Sequence, residues 1–232
     1  MNLITIAMNI VDVAANGQAI AYAQRDTKAD GSVVVSFSLC DWGSLQCRAI
    51  SETAYLQMKF GEIGGYVADN LVEYFTCRAS RLPDGGCAVL RADSVLRLFR
   101  PDGRLGASFP LEYQGCDAYD IACDGADLWF TVPARGALVQ FSLQERDMVM
   151  RVGGHGVFPR ATGVTRTQNA LWICCVHEVK SLLLPGLELG ERIYLGDLLE
   201  KYFVVFGRRF VWMGGALYAC EDDIEGEGKA LV

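Results

Sequence analysis

Histidine and basic charge are both scarce in this chain, and each scarcity argues against a class of function. The 232 residues include only two histidines, His155 and His177, which leaves little material for histidine-based catalysis or metal binding. Lysine and arginine number 21 against 28 aspartates and glutamates, for a net charge of −7. A protein that binds the phosphate backbone of a nucleic acid needs a basic stripe, so we expect no nucleic-acid partner.

Long apolar runs are also missing. No stretch of the sequence reaches the roughly 20 apolar residues that a membrane-spanning helix needs, so we expect no membrane partner. The leading segment, MNLITIAMNIVDVAANG, has no basic start and reaches Asp12 early, which is unlike a secretory signal. These features predict a cytoplasmic protein.

The nine cysteines do not have the spacing of a disulfide framework or a zinc site. Their number is odd, no C-x-x-C pair occurs, and most of them lie within apolar runs. This pattern predicts reduced and mostly buried thiols and no metal site. The glycine-rich RVGGHG lacks the lysine and the following helix of a phosphate-binding loop, so no cofactor is predicted.

A repeated pattern is the most informative feature of the sequence. The segment YDIACDGADLWFT (119–131) consists of a strand-like run, a turn and a second run. Four other segments align with it, namely 11–23, 80–92, 163–175 and 202–214. Further alternating runs follow in each unit, and four strands per roughly 40 to 45 residues is the spacing of a β-propeller blade. The pattern therefore predicts a single all-β propeller domain over residues 1–232.

The blade count follows from the turn positions. Turns near 16, 84, 124, 167 and 207 are separated by 68, 40, 43 and 40 residues, and the step from 207 through the chain end to 16 adds 41. This favours five blades of antiparallel strands, with six blades, two of them short, as the alternative. The long interval predicts an insertion at 51–70, either an extra hairpin or a short helix.

The two ends of the chain have separate predictions. The last unit shows only three strands, so the leading run NLITIAM is expected to pair with that blade and close the ring. The final segment, 221–232, carries five acidic residues and one lysine and is expected to be a solvated, frayed tail.

The repeat resembles that of NHL-type and virginiamycin-B-lyase-like propellers. The segments that carry the resemblance are DGADLWFT, QNALWI and LPDGGCAVLRADSVLRLFRPDGRL, which together lie between residues 80 and 175. The resemblance implies the propeller fold. Virginiamycin-B-lyase-like proteins have a histidine-dependent metal site, but neither His155 nor His177 maps onto such a site.

The alignment of the repeats places candidate ligand-binding residues on the inner strands that line the channel. At one equivalent position stand Asp12, Ser80, Asp120, Gly163 and Tyr202. Two residues earlier stand Ile10, Arg78, Ala118, Ala161 and Glu200. Carboxylates at Asp12, Asp120 and Glu200 beside Arg78 would suit a divalent cation, a polyol or acid–base chemistry. Alternatively, Asp12 and Asp120 hydrogen-bond the backbone and join the blades, which is the usual role of buried polar groups.

Trp42 is the candidate partner-binding residue. Most aromatic residues fall at repeat-equivalent strand positions that predict packing between blades, whereas Trp42 in LCDWGS lies at a hairpin tip. The sequence favours a scaffold that presents blade-end loops to a protein or a small ligand, with no catalytic residue identified. The alternative is an enzyme at the channel mouth, either a glycosidase-like hydrolase or a metal-dependent lyase or lactonase.

Overall fold

The structure, a computed structural model, describes residues 2–16, 18–71, 74–125, 127–196 and 198–221. Within these ranges the strands form five four-stranded antiparallel sheets arranged as a five-bladed β-propeller. The prediction of an all-β propeller with five blades is therefore confirmed. The acidic tail predicted from residue 221 lies outside the described residues, apart from Glu221.

The blades follow one another along the chain, and each runs from an inner strand at the channel to an outer strand at the rim. The chain begins with β1 (Leu3–Ala7). Blade 1 contains β2 (Ile10–Asn16), β3 (Ala19–Thr27), β4 (Val33–Cys40) and β5 (Cys47–Ala49). Blade 2 contains β6 (Arg78–Arg81), β7 (Cys87–Leu90), β8 (Val95–Phe99) and β9 (Leu105–Pro110). A short hairpin follows, made of β10 (Glu112–Tyr113) and β11 (Cys116–Asp117).

The second half of the chain contains three more blades. Blade 3 contains β12 (Ile121–Asp124), β13 (Asp127–Val132), β14 (Ala137–Ser142) and β15 (Asp147–Gly153). Blade 4 contains β16 (Gly163–Arg166), β17 (Ala170–Cys174), β18 (Glu178–Leu183) and β19 (Glu188–Tyr194). Blade 5 contains β20 (Leu199–Val205), β21 (Arg208–Met213) and β22 (Ala216–Cys220).

The N-terminal strand completes blade 5. β1 pairs antiparallel with β22, with Leu3 opposite Cys220 and Ala7 opposite Leu217. The predicted closure by NLITIAM is confirmed. Because the first and last strands of the described chain share one sheet, the ring cannot open at this point without breaking a strand pair.

The hydrophobic core lies between neighbouring blades, and the period-two alternation of each strand explains why. On β13, Leu128 and Phe130 pack towards blade 2, whereas Trp129 between them packs towards blade 4. All three side chains are almost fully buried. A strand that is apolar on both faces needs a sheet on each side, and a closed ring supplies one on each side of every blade.

The predicted insertion contains two helices, α1 (Glu52–Phe60) and α2 (Gly64–Asp69). The Ser51 side chain caps α1 by accepting a hydrogen bond from the backbone N–H of Ala54 at 3.2 Å. The helix ends at Gly61, whose φ of 82° favours glycine. In the described part of the chain, no helix is long and apolar enough to cross a membrane.

Helix α1 lies as a wedge between blades 1 and 2. Tyr55 packs against small side chains of blade 1, which are Ala14, Ala21 and Ala23. On its other side, Phe60 packs against the apolar face of blade 2. The alanines leave the room that a helix requires, so the insertion takes the place of direct contact between these two blades.

Candidate functional site

The central channel contains a cavity of about 820 Å³. Its lining comes from all five inner strands and from α1, and it combines polar and apolar side chains. The charged residues that line it are Asp12, Lys59, Arg78, Arg81, Arg166 and Lys201. Cations therefore outnumber carboxylates on this lining, although the chain as a whole is acidic.

Asp120 is fully buried and joins three blades. Lys201 of blade 5 places its Nζ 2.8 Å from Oδ2 of this blade 3 carboxylate and 2.9 Å from Oδ1. The backbone N–H of Val164 in blade 4 donates to the same Oδ2 at 2.8 Å. Both carboxylate oxygens are thus occupied, so Asp120 is placed to hold the ring together.

Asp12 is also buried, and its partner comes from the insertion. Lys59 of α1 donates to Asp12 Oδ2 and to the carbonyl oxygen of Tyr74, the latter at 2.7 Å. The other oxygen, Oδ1, accepts from the backbone N–H of Val13 at 3.0 Å. Burial raises the pKa of the Asp12 carboxyl above its ordinary value, and the Lys59 ammonium opposes that shift.

Asp120 and Asp12 have different hydrogen-bond donors because helix α1 lies between blades 1 and 2. Ser80, the repeat equivalent of Asp120 in blade 2, accepts a hydrogen bond from the backbone N–H of Cys123 in blade 3 at 2.7 Å. Ser80 and Asp120 thus each bind the inner strand of the next blade. Next to Asp12 in blade 1, α1 stands where the inner strand of the next blade would lie. Lys59 of α1 therefore donates to Asp12 in place of a backbone N–H from that strand.

Arg78 projects between aromatic rings inside the channel. Its guanidinium lies 5.6 Å from the ring centroid of Tyr119 and 5.3 Å from that of Trp212 in blade 5. Such contacts stabilise a cation without neutralising it. Burial lowers the pKa of Arg78, but Asp120, Tyr119 and Asp12 together outweigh that effect, so the pKa lies above its ordinary value and the group stays charged.

Glu200 is half-buried at the start of β20 and does not line the 820 Å³ cavity. Burial raises the pKa of its carboxyl, while Arg78 and the backbone N–H of Gly215 oppose the shift. Asp12, Asp120 and Glu200 therefore all interact electrostatically with the guanidinium of Arg78. The repeat alignment had placed these four residues together, and the structure does bring them to the same region.

A second cavity of about 610 Å³ shares Arg78 with the first. Its lining includes Arg91, Ser94, Asp117 and Tyr119 near the β10–β11 hairpin. Arg78 is the residue common to both linings, so its side chain stands between the two spaces.

Two of the predicted site residues pack between blades. Tyr202 is fully buried, and its ring centroid lies 5.0 Å from that of Trp172, so it does not line either cavity. Trp42 is half-buried, with its ring centroid 5.2 Å from that of Phe206 in blade 5. Arg208 of blade 5 also donates to the carbonyl oxygen of Trp42. The partner-binding role of Trp42 stays a prediction.

Lysines 59 and 201 are the site residues that sequence reasoning missed. Lys59 belongs to the insertion and has no repeat equivalent. Lys201 follows a β-bulge, where the pairing of β20 with β21 shifts between Leu199 and Lys201. Asp12 follows the same irregularity between Ile10 and Asp12, so Lys201 rather than Tyr202 is its structural equivalent at the channel.

The histidines do not join the channel site. His155 lies in the link between blades 3 and 4, and His177 lies between β17 and β18; both are exposed. Within the described ranges, no cluster of three or more His, Cys, Asp or Glu side chains is arranged to hold a metal ion.

No protein-family model matches the sequence, and no curated protein matches it either. Among solved structures, a catalytically inactive virginiamycin B lyase from Staphylococcus aureus, solved with quinupristin, is similar with a TM-score of 0.54. It is 6% identical, over 92% of this chain and 80% of that chain. The selenomethionine-substituted lyase gives a TM-score of 0.49 at 8% identity, over 88% and 73% of the two chains.

Hydrazine synthase from Kuenenia stuttgartiensis gives a TM-score of 0.45 at 11% identity. The match covers 58% of this chain and less than half, 44%, of that chain. At these identities a likeness informs about architecture alone. The chain is thus similar in fold to virginiamycin B lyase, a β-propeller.

Proposed function

We propose that this protein is a non-catalytic binding scaffold whose central channel holds a small anionic ligand. The observation that carries the proposal is the excess of positive charge on the 820 Å³ cavity. Among the residues that the structure describes, five cationic side chains line it, whereas the carboxylates that line it or pair with its cations are Asp12, Asp120 and Asp124.

The pairing pattern identifies which cations remain for a ligand. Lys59 and Lys201 are matched by buried aspartates, and Arg166 Nε lies 2.9 Å from Asp124 Oδ1. Among the described residues, no carboxylate forms an ion pair with Arg78 or Arg81. Arg78 is held by aromatic rings, and Arg81 donates to the carbonyl oxygens of Gln57 and Met58 at the end of α1.

The size and setting of the cavity fit a small molecule. Pockets for such ligands commonly measure roughly 300 to 1,000 Å³. A cleft with low-dielectric walls concentrates the field of its charges, so Arg78, with which no carboxylate forms a direct ion pair, attracts an anion there more strongly than an arginine on an open surface. Arg81 is more exposed and extends the positive charge at the edge of the cavity. A guanidinium also offers a planar set of donors that matches a carboxylate or a phosphate oxygen pair.

A thermal-shift titration with sulfate and phosphate, against sodium chloride at equal ionic strength, tests the proposal. A ligand that binds only the folded state raises stability by about 2.7 kcal/mol at 100 times its Kd. We expect the shift to shrink in Arg78→Gln and Arg81→Gln and to persist in Arg104→Gln. Arg104 is the matched control because its side chain is 84% exposed on a turn of blade 2. A shift that chloride reproduces, or that all three variants retain, contradicts the proposal.

Hydrolysis at the channel mouth draws less support. A glycosidase-like mechanism needs two carboxyl groups free to act as acid, base or nucleophile. The oxygens of Asp12 and Asp120 are occupied by lysine and backbone donors, so Glu200 is, within the described chain, the one of the three aligned carboxyl groups without a lysine partner. A divalent cation would also meet the positive charge of Lys59 and Lys201 before it met those carboxylates.

A further inference from the structure

Two cysteines lie directly opposite each other in the outer hairpin of blade 1. Cys40 on β4 pairs with Cys47 on β5. Within the described strand pairs, no other two cysteines share such a position. The other thiols of the chain therefore have different neighbours across their strands.

The hydrogen bonds of this hairpin define the type of pair. The backbone N–H of Asp41 donates to the carbonyl oxygen of Gln46 at 2.9 Å, and that of Ile50 donates to Phe37 at 3.0 Å. Hydrogen-bonded and non-hydrogen-bonded pairs alternate along an antiparallel ladder. The Cys40–Cys47 pair is adjacent to Asp41–Gln46 and is therefore a non-hydrogen-bonded pair.

That pairing brings the two side chains close. Cα atoms of a non-hydrogen-bonded pair lie about 4.5 Å apart, with both side chains on the same face of the sheet. Disulfides bridge Cα atoms at about 4.4 to 6.8 Å, so the backbone already lies within the required range. Both thiols are free in the structure.

We propose that Cys40 and Cys47 form a reversible dithiol–disulfide site that reacts with small disulfides of the glutathione type. The site lies on the rim of blade 1, away from the channel, and does not depend on the proposed anion binding. It differs from a lone reactive cysteine because the second thiol is held beside the first by the strand register.

The environments of the two thiols determine the order of the steps. Cys47 is exposed, whereas Cys40 is 1% exposed. Burial, together with the neighbouring Cys47, raises the pKa of the Cys40 thiol to about 12, so few Cys40 thiolates exist at neutral pH. Cys47 therefore meets the oxidant first.

The reaction balances as two thiol–disulfide exchanges. The Cys47 thiolate attacks one sulfur of oxidised glutathione, forms a mixed disulfide and releases one glutathione thiolate. Cys40 then loses its proton to solvent or to that thiolate and attacks the sulfur of Cys47. This forms the Cys40–Cys47 bond and releases the second glutathione. The protein loses two electrons and two protons, and oxidised glutathione gains them.

The position of the hairpin connects this site to ring closure. Trp42 and Gly43 lie two and three residues after Cys40, and Arg208 of blade 5 donates to the carbonyl oxygens of both, at 2.9 Å for Gly43. A bond between Cys40 and Cys47 therefore restrains the hairpin to which Arg208 of blade 5 is hydrogen-bonded.

The test incubates the native protein with oxidised glutathione, unfolds it in guanidinium chloride that contains N-ethylmaleimide so that every remaining thiol is alkylated, and digests it with trypsin. Cleavage after Lys28 and Arg48 releases both cysteines in one peptide, 29–48. We expect this peptide to lose two hydrogens, to resist alkylation and to regain both alkylation sites after reduction. A peptide that stays fully alkylated, or that carries glutathione permanently on Cys47, overturns the proposal.

Three variants make the result specific. In Cys40→Ala we expect the mixed disulfide with glutathione to persist on Cys47, because the resolving thiol is gone. In Cys47→Ser, an exposed position at which folding is not at risk, we expect Cys40 to form no adduct. Cys116→Ser, a half-buried thiol elsewhere, leaves the 29–48 result unchanged. If treatment with oxidised glutathione still protects Cys40 from alkylation in Cys47→Ser, then Cys40 pairs with another thiol and the proposed pair is wrong.

Discussion

Lys201 binds Asp120 across the channel, with its Nζ 2.8 Å from the carboxylate Oδ2. The two residues belong to blades 5 and 3, and blade 4 lies between them in the ring. Their side chains are 13% and 0% exposed. A contact that joins non-adjacent blades in a nearly dry setting resists any change in the diameter of the ring.

Lys201→Met is expected to destabilise the fold strongly. Removing one partner of a buried ion pair leaves the other charge uncompensated and typically costs about 3 to 5 kcal/mol. Asp120 would keep only the backbone N–H of Val164 as a donor. Urea unfolding measures the loss, and Arg104→Met at an exposed ion pair serves as the control, with an expected cost of about 0 to 1 kcal/mol. Equal losses in the two variants would show that the channel pair adds no stability.

Gly163→Ala tests how closely blades 4 and 5 approach. A Cβ at Gly163 would lie 2.8 Å from the carbonyl oxygen of Glu200, which is backbone and cannot move aside freely. We expect a loss of about 1 to 3 kcal/mol in the free energy of unfolding. Gly65→Ala in α2 is the control, since nothing lies within 4 Å of its Cβ and alanine favours a helix by up to about 1 kcal/mol. If Gly163→Ala leaves the free energy of unfolding unchanged, the backbones of blades 4 and 5 do not approach each other this closely.

Sulfate binding should strengthen as the pH falls. Burial raises the pKa of Glu200 above its ordinary 4.5, against the effect of Arg78. Protonation removes a negative charge near Arg78, whereas sulfate stays fully charged, so we expect affinity to rise as the pH falls from neutral towards the raised pKa of Glu200. Glu200→Gln should bind sulfate tightly at both pH values. Titration calorimetry measures the sulfate affinity at each pH. If the affinity of Glu200→Gln depends on pH as strongly as that of the natural protein, a group other than Glu200 is responsible.

Glu178 should govern part of the acid stability. Burial raises its pKa, but hydrogen bonds from Lys180 and Arg192 outweigh burial, so the folded-state pKa lies below the ordinary 4.5. A lowered folded pKa contributes stability above pH 4.5 that is lost as the pH falls through the folded value. Glu178→Gln is therefore expected to be less stable than the natural protein near pH 7 and equal to it in strong acid. Glu188→Gln, at an exposed position of the same blade, should show no such convergence.

The ring of blades was predictable because its signal recurs. Each unit repeats an apolar alternation and a turn, and the missing fourth strand in the last unit predicted the role of the leading run NLITIAM, in which β1 pairs with β22. The position of Asp120 beside the next blade was predictable for the same reason, since Ser80 and Asp120 both accept a hydrogen bond from the backbone of the next inner strand.

Features that break the repeat were not predictable in this way. Lys59 lies on an inserted helix whose place between two blades is indicated only by the alanines of blade 1, a weak signal. The bulges before Asp12 and Lys201 depend on pairing with β3 and β21, which a single strand does not reveal. The alignment of the repeats therefore set Tyr202 opposite Asp12, and Lys201 was left out.

The claim that the channel is an anion site is tested most directly by locating an anion in it. Crystals grown or soaked with selenate allow the anion to be found by the anomalous signal of selenium, with sulfate-soaked crystals as the background. We predict a peak inside the 820 Å³ cavity within hydrogen-bonding distance of Arg78 or Arg81, absent in Arg78→Gln. Peaks confined to the outer surface, with an empty channel at saturating selenate, would contradict the account.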